Sequence, residues 1–263
     1  ALMRWIDECP NDLYSALTFK GGPAWRDHLK RDLRGTSGLK TLLDSHGDDS
    51  LHALMTNLAG HDMESILEAF KRRETYATTG PRIKLRVFAG WHFSEADLTS
   101  ATFANIGYSK GVPMGGQLTN ADSGQTPKFL ITAMKDPQGA NLDRVQIIKG
   151  WVDGDTNSHE KIYDVIWSGE REIKEGKLSK IGSTVDLKTG RSTDEIGSTQ
   201  LSAVWSDPDF NAEYAAFYYI RVLEIPTARH AQLDARALGL NKPNVVASTI
   251  QERAYSSPIW YRP

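Results

Sequence analysis

Ile83-Lys84-Leu85-Arg86-Val87 alternates apolar and cationic side chains, so an extended chain puts three aliphatics on one side and both cations on the other. The string follows the breaker run Thr78-Thr79-Gly80-Pro81, where the hydrophobic period shifts from about 3.6 residues to about 2. Further strand-like runs lie at Phe129–Met134, Val145–Val152, Ile162–Trp167 and Phe217–Leu223. Turn signals such as Asp136-Pro137-Gln138-Gly139 and Asp153-Gly154-Asp155 separate them. Short strands joined by turns predict a mainly β fold, an antiparallel β-sandwich over residues 81–263. One late helix is expected from Ala228 to Leu238, stopped by Gly239. The polar stretch Ser168–Thr199 reads as an extended surface loop or a mobile hairpin.

Upstream, residues 1–80 read as a short helical segment. Trp25, Leu29 and Leu33 precede Gly35; Leu39, Leu42 and Leu43 precede Gly47; Leu51, Leu54, Met55 and Leu58 precede Gly60. Each group has helical spacing and a glycine stop. A fourth helix is expected from Met63 to Arg73, with Asp62 accepting from its free first-turn N–H groups and Met63, Ile66, Leu67 and Phe70 forming one stripe.

The balance of 31 Lys and Arg against 33 Asp and Glu gives no electrostatic footprint for nucleic acid. No run approaches the ~18–20 apolar residues of a membrane span, so the expected partners include neither nucleic acid nor membrane. The single cysteine, Cys9, provides no internal disulfide or multi-cysteine zinc site. Any metal must then be held by imidazole and carboxylate. No basic start with an apolar run and a small-residue cleavage site is visible, which leaves cytoplasm and periplasm both open.

The densest group of candidate ligands is Asp44, His46, Asp48, Asp49, His52, His61 and Asp62. Such residues suit zinc, manganese or iron, with Asp44, His46 and His61 as the core set; alternatively Asp48 and Asp49 cap a helix and the imidazoles are solvated. For nucleophilic chemistry, Ser37-Gly38-Leu39-Lys40 places a lysine one helical turn from a serine, close enough to act as its base. The competing reading is a helix cap at Ser37 with a solvated Lys40. Ser158-His159-Glu160-Lys161 repeats the spacing at the entry to a strand, and His92, His159 and Glu160 are further rim candidates. Trp91, Trp151, Trp167, Trp205, Tyr218, Tyr219, Trp260 and Tyr261 are expected mainly to pack between sheets, with a carbohydrate-type platform as the alternative. Arg72 and Arg73 suit a helix C-terminus.

Several long strings carry a resemblance. These are Arg72-Arg73-Glu74-Thr75-Tyr76-Ala77-Thr78-Thr79-Gly80-Pro81-Arg82-Ile83, Gly139-Ala140-Asn141-Leu142-Asp143-Arg144 with Lys149-Gly150-Trp151, His159-Glu160-Lys161-Ile162-Tyr163-Asp164-Val165, Asp207-Pro208-Asp209-Phe210, the run from Phe217 to Pro226, and the run from Gln251 to Tyr261. From Lys71 onward the chain resembles the C-terminal region of a bacterial family of unknown function. In that family a metal-dependent barrel of the polymerase and histidinol phosphatase type precedes this region, and the region itself resembles an appended immunoglobulin-like sandwich. The resemblance implies descent from hydrolases of esters or phosphoesters. The relatives' Gly-Asp-Leu-His-x-His signature is absent from this sequence, although Asp44-x-His46 matches an Asp-x-His spacing near the end of the barrel.

Asn57 to Phe70, with Gly22-Pro23-Ala24-Trp25 before it, instead resembles a piece of the thiamine-diphosphate-dependent first component of pyruvate dehydrogenase. The thiamine fingerprint is missing, so thiamine diphosphate is not expected as a cofactor, whereas a divalent metal is open. The change of resemblance around Glu68–Lys71 suggests a gene fusion. Two functions are therefore expected: hydrolysis of a small-molecule ester or phosphoester, or a non-catalytic accessory module whose sheet edge or aromatic face binds its own copy, as a homo-oligomer, or a partner.

Overall fold

The computed structural model describes residues 63–122, 124–240 and 246–263. The chain divides into two compact units, Ala1–Glu68 and Ala69–Pro263. The second is mainly β and forms the antiparallel β-sandwich that the alternation after Pro81 implies. The three helices expected before Gly60 lie outside the described residues.

Helix α1, Met63–Lys71, stops two residues short of the expected Arg73. Arg73 adopts a left-handed φ of 58°, and its N–H bonds to the Phe70 carbonyl at 2.9 Å while that of Glu74 reaches back to Ala69 at 3.0 Å. This closure satisfies the helix's last carbonyls. Arg73 Nε then donates to the Gly115 carbonyl at 3.2 Å.

The smaller sheet contains β2 (Lys84–Gly90), β3 (Gly111–Pro113), β5 (Lys128–Met134) and β10 (Gln200–Ser206), in the order β10-β5-β2-β3. In β2 the alternation holds at its start, with Lys84 and Arg86 exposed and Leu85 and Val87 buried. It fails from Phe88 onward because helix α2, Phe103–Lys110, covers the other face. Phe88, Phe93 and Leu130 form a second small core there with Phe103 and Ile106.

The larger sheet is built on β11 (Ala216–Glu224). One side of β11 pairs with β6 (Leu142–Val152), which pairs in turn with β7 (Ser158–Trp167). Its other side pairs with β14 (Arg253–Ser256) and β15 (Ile259–Arg262). Strand β1 (Tyr76–Thr78) extends β14, and β4 (Gln117–Thr119) joins β15 as a parallel neighbour in an otherwise antiparallel sheet. The main core lies between the two sheets and includes Ile83, Val87, Phe129, Ile131, Val145, Ile147, Tyr218, Ile220, Val222 and Ile259. Burying each such side chain contributes about 1.5 to 3 kcal/mol before chain entropy is subtracted.

The stretch Ser168–Thr199 contains a small hairpin, β8 (Ile173–Lys174) with β9 (Lys177–Leu178), turned by Glu175 and Gly176 at φ 51° and 74°. After β12 (Thr227–Ala228), helix α3 spans His230–Ala237 and ends as expected at Gly239, whose φ is 74°. Strand β13 (Thr249–Ile250) pairs with β12.

Candidate functional site

Parity along β11 sorts its side chains into two populations. Ala216, Tyr218, Ile220 and Val222 point into the core, while Phe217, Tyr219 and Arg221 point to the outer face. Register carries this outer set across the sheet. Phe217 stands beside Gly150 of β6 and Trp260 of β15, Tyr219 beside Ile148, and Arg221 beside Gln146 and Tyr255. On β7 the same three rows continue as Glu160, Ile162 and Asp164.

Four rings thereby form a strip on the outer face. Trp260 and Phe217 lie 5.4 Å apart, Phe217 and Tyr219 stack at 6.5 Å with planes only 12° apart, and Tyr219 meets Tyr255 at 6.5 Å. Phe217 covers Gly150, where a Cβ would come within 2.4 Å of the ring. Trp260 is 40% exposed and Ile162 47%. The Gln146 amide accepts from Arg221 Nε at 2.8 Å and donates to Asp164 Oδ1 at 2.7 Å, linking the basic and acidic parts of the face.

At the far end of β11 the face becomes cationic. Leu223 stands beside Arg144 and Arg253, and a bulge before Glu224 leaves Asp143 as the extra residue of β6. Asp143 is fully buried and takes Arg171 Nη2 at 2.6 Å and Gln251 Nε2 at 2.8 Å. A cleft of about 580 Å³ opens there, lined by Asp143 and the cations Arg144, Lys180, Arg229 and Arg253.

Inside the sandwich, Lys149 pairs with Asp207 at 2.6 Å, and the Tyr218 hydroxyl donates to the same carboxylate at 2.7 Å. Burial, then the Asp207 charge, holds the Tyr218 hydroxyl well above its ordinary range. Nearby, Asp209 accepts from Lys161 and, at 2.6 Å, from the Tyr163 hydroxyl. The Lys161 bond is the main reason its carboxyl sits below the usual range, and burial holds the Tyr163 hydroxyl above its own.

Ser37, Lys40, Asp44, His46 and His61 all lie outside the described residues, as do Asp48, Asp49, His52 and Asp62. Among the described residues, no group of three or more His, Cys, Asp or Glu is placed to hold a metal, and no helix is long and apolar enough to cross a membrane. Ser158 and Lys161 do not form a serine–lysine pair. Both are on β7, where a separation of three puts them on opposite faces, and Lys161 is bound to Asp209. His159 Nε2 meets Asp153 at 2.7 Å and its ring stacks on Trp151 at 5.0 Å. That contact, with a backbone N–H bond from Asn157, lowers the Asp153 carboxyl to about 2. Of the aromatic candidates, Trp91, Trp205, Tyr218 and Tyr261 belong to or pack against the core, whereas Tyr219 and Trp260 are on the outer strip. Phe217, Tyr255 and the cations of the cleft were not anticipated from sequence. The alternation of Phe217-Tyr218-Tyr219 was the available signal for the first.

A family described as a protein of unknown function (DUF3604) matches residues 58–263. The match begins thirteen residues before Lys71 and takes in most of the stretch that resembles the thiamine enzyme. No curated protein and no solved structure matches the chain. With more than three quarters of its length matched, the chain belongs to the DUF3604 family of proteins of unknown function.

Proposed function

We propose that the β-sandwich is a non-catalytic accessory module and that it pairs with a second copy of the chain through the outer face of its larger sheet. The observation that carries this reading is the ring strip Trp260–Phe217–Tyr219–Tyr255 with exposed Ile162 beside it. A solvated outer face of an antiparallel sheet is ordinarily polar, and aromatic clusters are characteristic of interface cores. Charge supports a second copy as the occupant. The β7 border of the face carries Glu160 and Asp164, and the opposite part carries Arg221, Arg253 and Arg262. A two-fold axis running along the strands lays the acidic border of one copy over the basic border of the other.

Sedimentation of the full chain tests this reading. A dimer that Trp260→Glu converts to monomer, with unchanged melting, supports it; a wild-type monomer up to about 100 µM overturns it.

The descent from polymerase and histidinol phosphatase type hydrolases belongs to the same proposal, as the origin of the module. Ester or phosphoester hydrolysis would reside with Ser37 and Lys40 or with Asp44, His46 and His61, and a fused origin, suggested by the resemblance to the thiamine enzyme, would concern residues before the family match begins at 58.

A further inference from the structure

The cleft at the end of β11 has more positive charge than its own carboxylate offsets. Arg144, Lys180, Arg229 and Arg253 line it against Asp143 alone. Asp143 is already engaged, through Arg171 at 2.6 Å and Gln251 at 2.8 Å. Arg144 Nε lies 3.2 Å from Asp143 Oδ2 yet is not aligned for a hydrogen bond. Arg229 Nε is likewise buried with no hydrogen-bond partner among the described residues. Arg144 Nη1 also lies 3.6 Å from Asp164, so the surplus charge of the cleft rests with Lys180, Arg229 and Arg253, for which no ion pair forms among the described residues. Arg253 is held in position by bonds from its Nε to the Gln251 carbonyl at 3.1 Å and from its Nη1 to the Tyr255 hydroxyl at 3.2 Å.

We propose that this cleft is a binding site for a phosphoryl group carried on a small organic molecule. Planar guanidinium groups match the oxygens of a phosphoryl dianion, and its charge suits the surplus of cations. The volume of about 580 Å³ exceeds what inorganic phosphate fills and falls in the range of small-molecule sites. Ile181, Pro226 and Ile250 provide apolar wall for the organic part. Lys180, on the exposed loop at the rim, adds charge without being part of the folded framework. The cleft shares Arg253 with the face of the self-association proposed above, and the two are read by different experiments and different variants.

Isothermal titration of the full chain with phenyl phosphate, inorganic phosphate and benzoate tests the site. Saturable binding is expected in the order phenyl phosphate, phosphate, benzoate. Arg229→Gln is expected to weaken phenyl phosphate binding by about tenfold or more, and Lys180→Gln by a smaller factor. Lys161→Gln on β7, where the lysine charge is engaged by Asp209, is expected to leave binding unchanged. Because Lys180 is exposed, its variant provides a readout if Arg229→Gln does not fold. No saturable binding by either phosphate would overturn the proposal. So would benzoate binding as tight as phenyl phosphate, or binding indifferent to both cleft variants.

Discussion

Lys149 and Asp207 form an ion pair of 2.6 Å between side chains that are 3% and 0% exposed, inside a sandwich whose other inward residues are almost all apolar. Both partners are otherwise satisfied. Lys149 Nζ also donates to the Asp209 carbonyl at 2.8 Å, and Asp207 also accepts from Tyr218 and from the Asp209 N–H at 2.9 Å. A buried pair adds little net stability over apolar residues, but removing one partner strands the other. Lys149→Met is therefore expected to cost about 3 to 5 kcal/mol in urea unfolding, and Lys149→Met/Asp207→Leu clearly less than the sum of the two single changes. Additive losses would show that the pair is not coupled.

Glu224 imposes a pH dependence of definite sign. Burial, then the charge of Glu252, raises its carboxyl from 4.5 to about 7, and its Oε1 has no hydrogen-bond partner among the described residues. The folded state keeps this proton after the unfolded chain has released it. Stability is thus greatest below about pH 4.5 as far as this group is concerned, and it falls as pH rises to about 7, by on the order of 3 kcal/mol. Glu224→Gln is expected to flatten that part of the stability profile. An unchanged slope in the variant would assign the dependence to another group.

Gly150 tests how the ring strip is laid down. A methyl group there would meet the Phe217 ring at 2.4 Å, so the ring must lift from the sheet. Gly150→Ala is expected to cost about 1 to 3 kcal/mol despite alanine's lower chain entropy, and to weaken self-association of the chain. Full association with wild-type stability would place the strip outside the interface.

How far sequence leads depends on which distances matter. Ile83–Val87 betrays its strand and its inner face because alternation is local, and Gly239 marks the end of α3 for the same reason. Helix α2 is not legible: Phe103-Ala104-Asn105-Ile106-Gly107-Tyr108 has no clear apolar stripe, and the helix is held by packing on Phe88, which would sit 2.4 Å from a Cβ at Gly107. Tyr218 and Tyr219 are neighbours with opposite fates, and only the register of β11 assigns one to the core and the other to the face. The cleft is least legible of all, since Asp143 meets Gln251 across 108 positions and Arg171 across 28. Local pattern carries no trace of such pairings.

If the chain hydrolyses aryl esters or aryl phosphates, that activity is expected to lie outside the sandwich. Activity is expected to disappear in Ser37→Ala or in Asp44→Ala/His46→Ala, the latter together with chelator sensitivity, and to survive Trp260→Glu. Loss of turnover in Trp260→Glu, with folding intact, would instead place reactive chemistry on the sandwich.

The most direct test of the proposed module is a charge exchange across its face. Glu160→Arg and Arg262→Glu, each alone, are expected to sediment as monomers because every two-fold contact then sets like charges together. Mixing the two variants in equal amounts is expected to restore a dimer of wild-type mass, since each reversed charge meets its reversed counterpart. Dimers in either variant alone, or monomers in the mixture, would contradict pairing through this face.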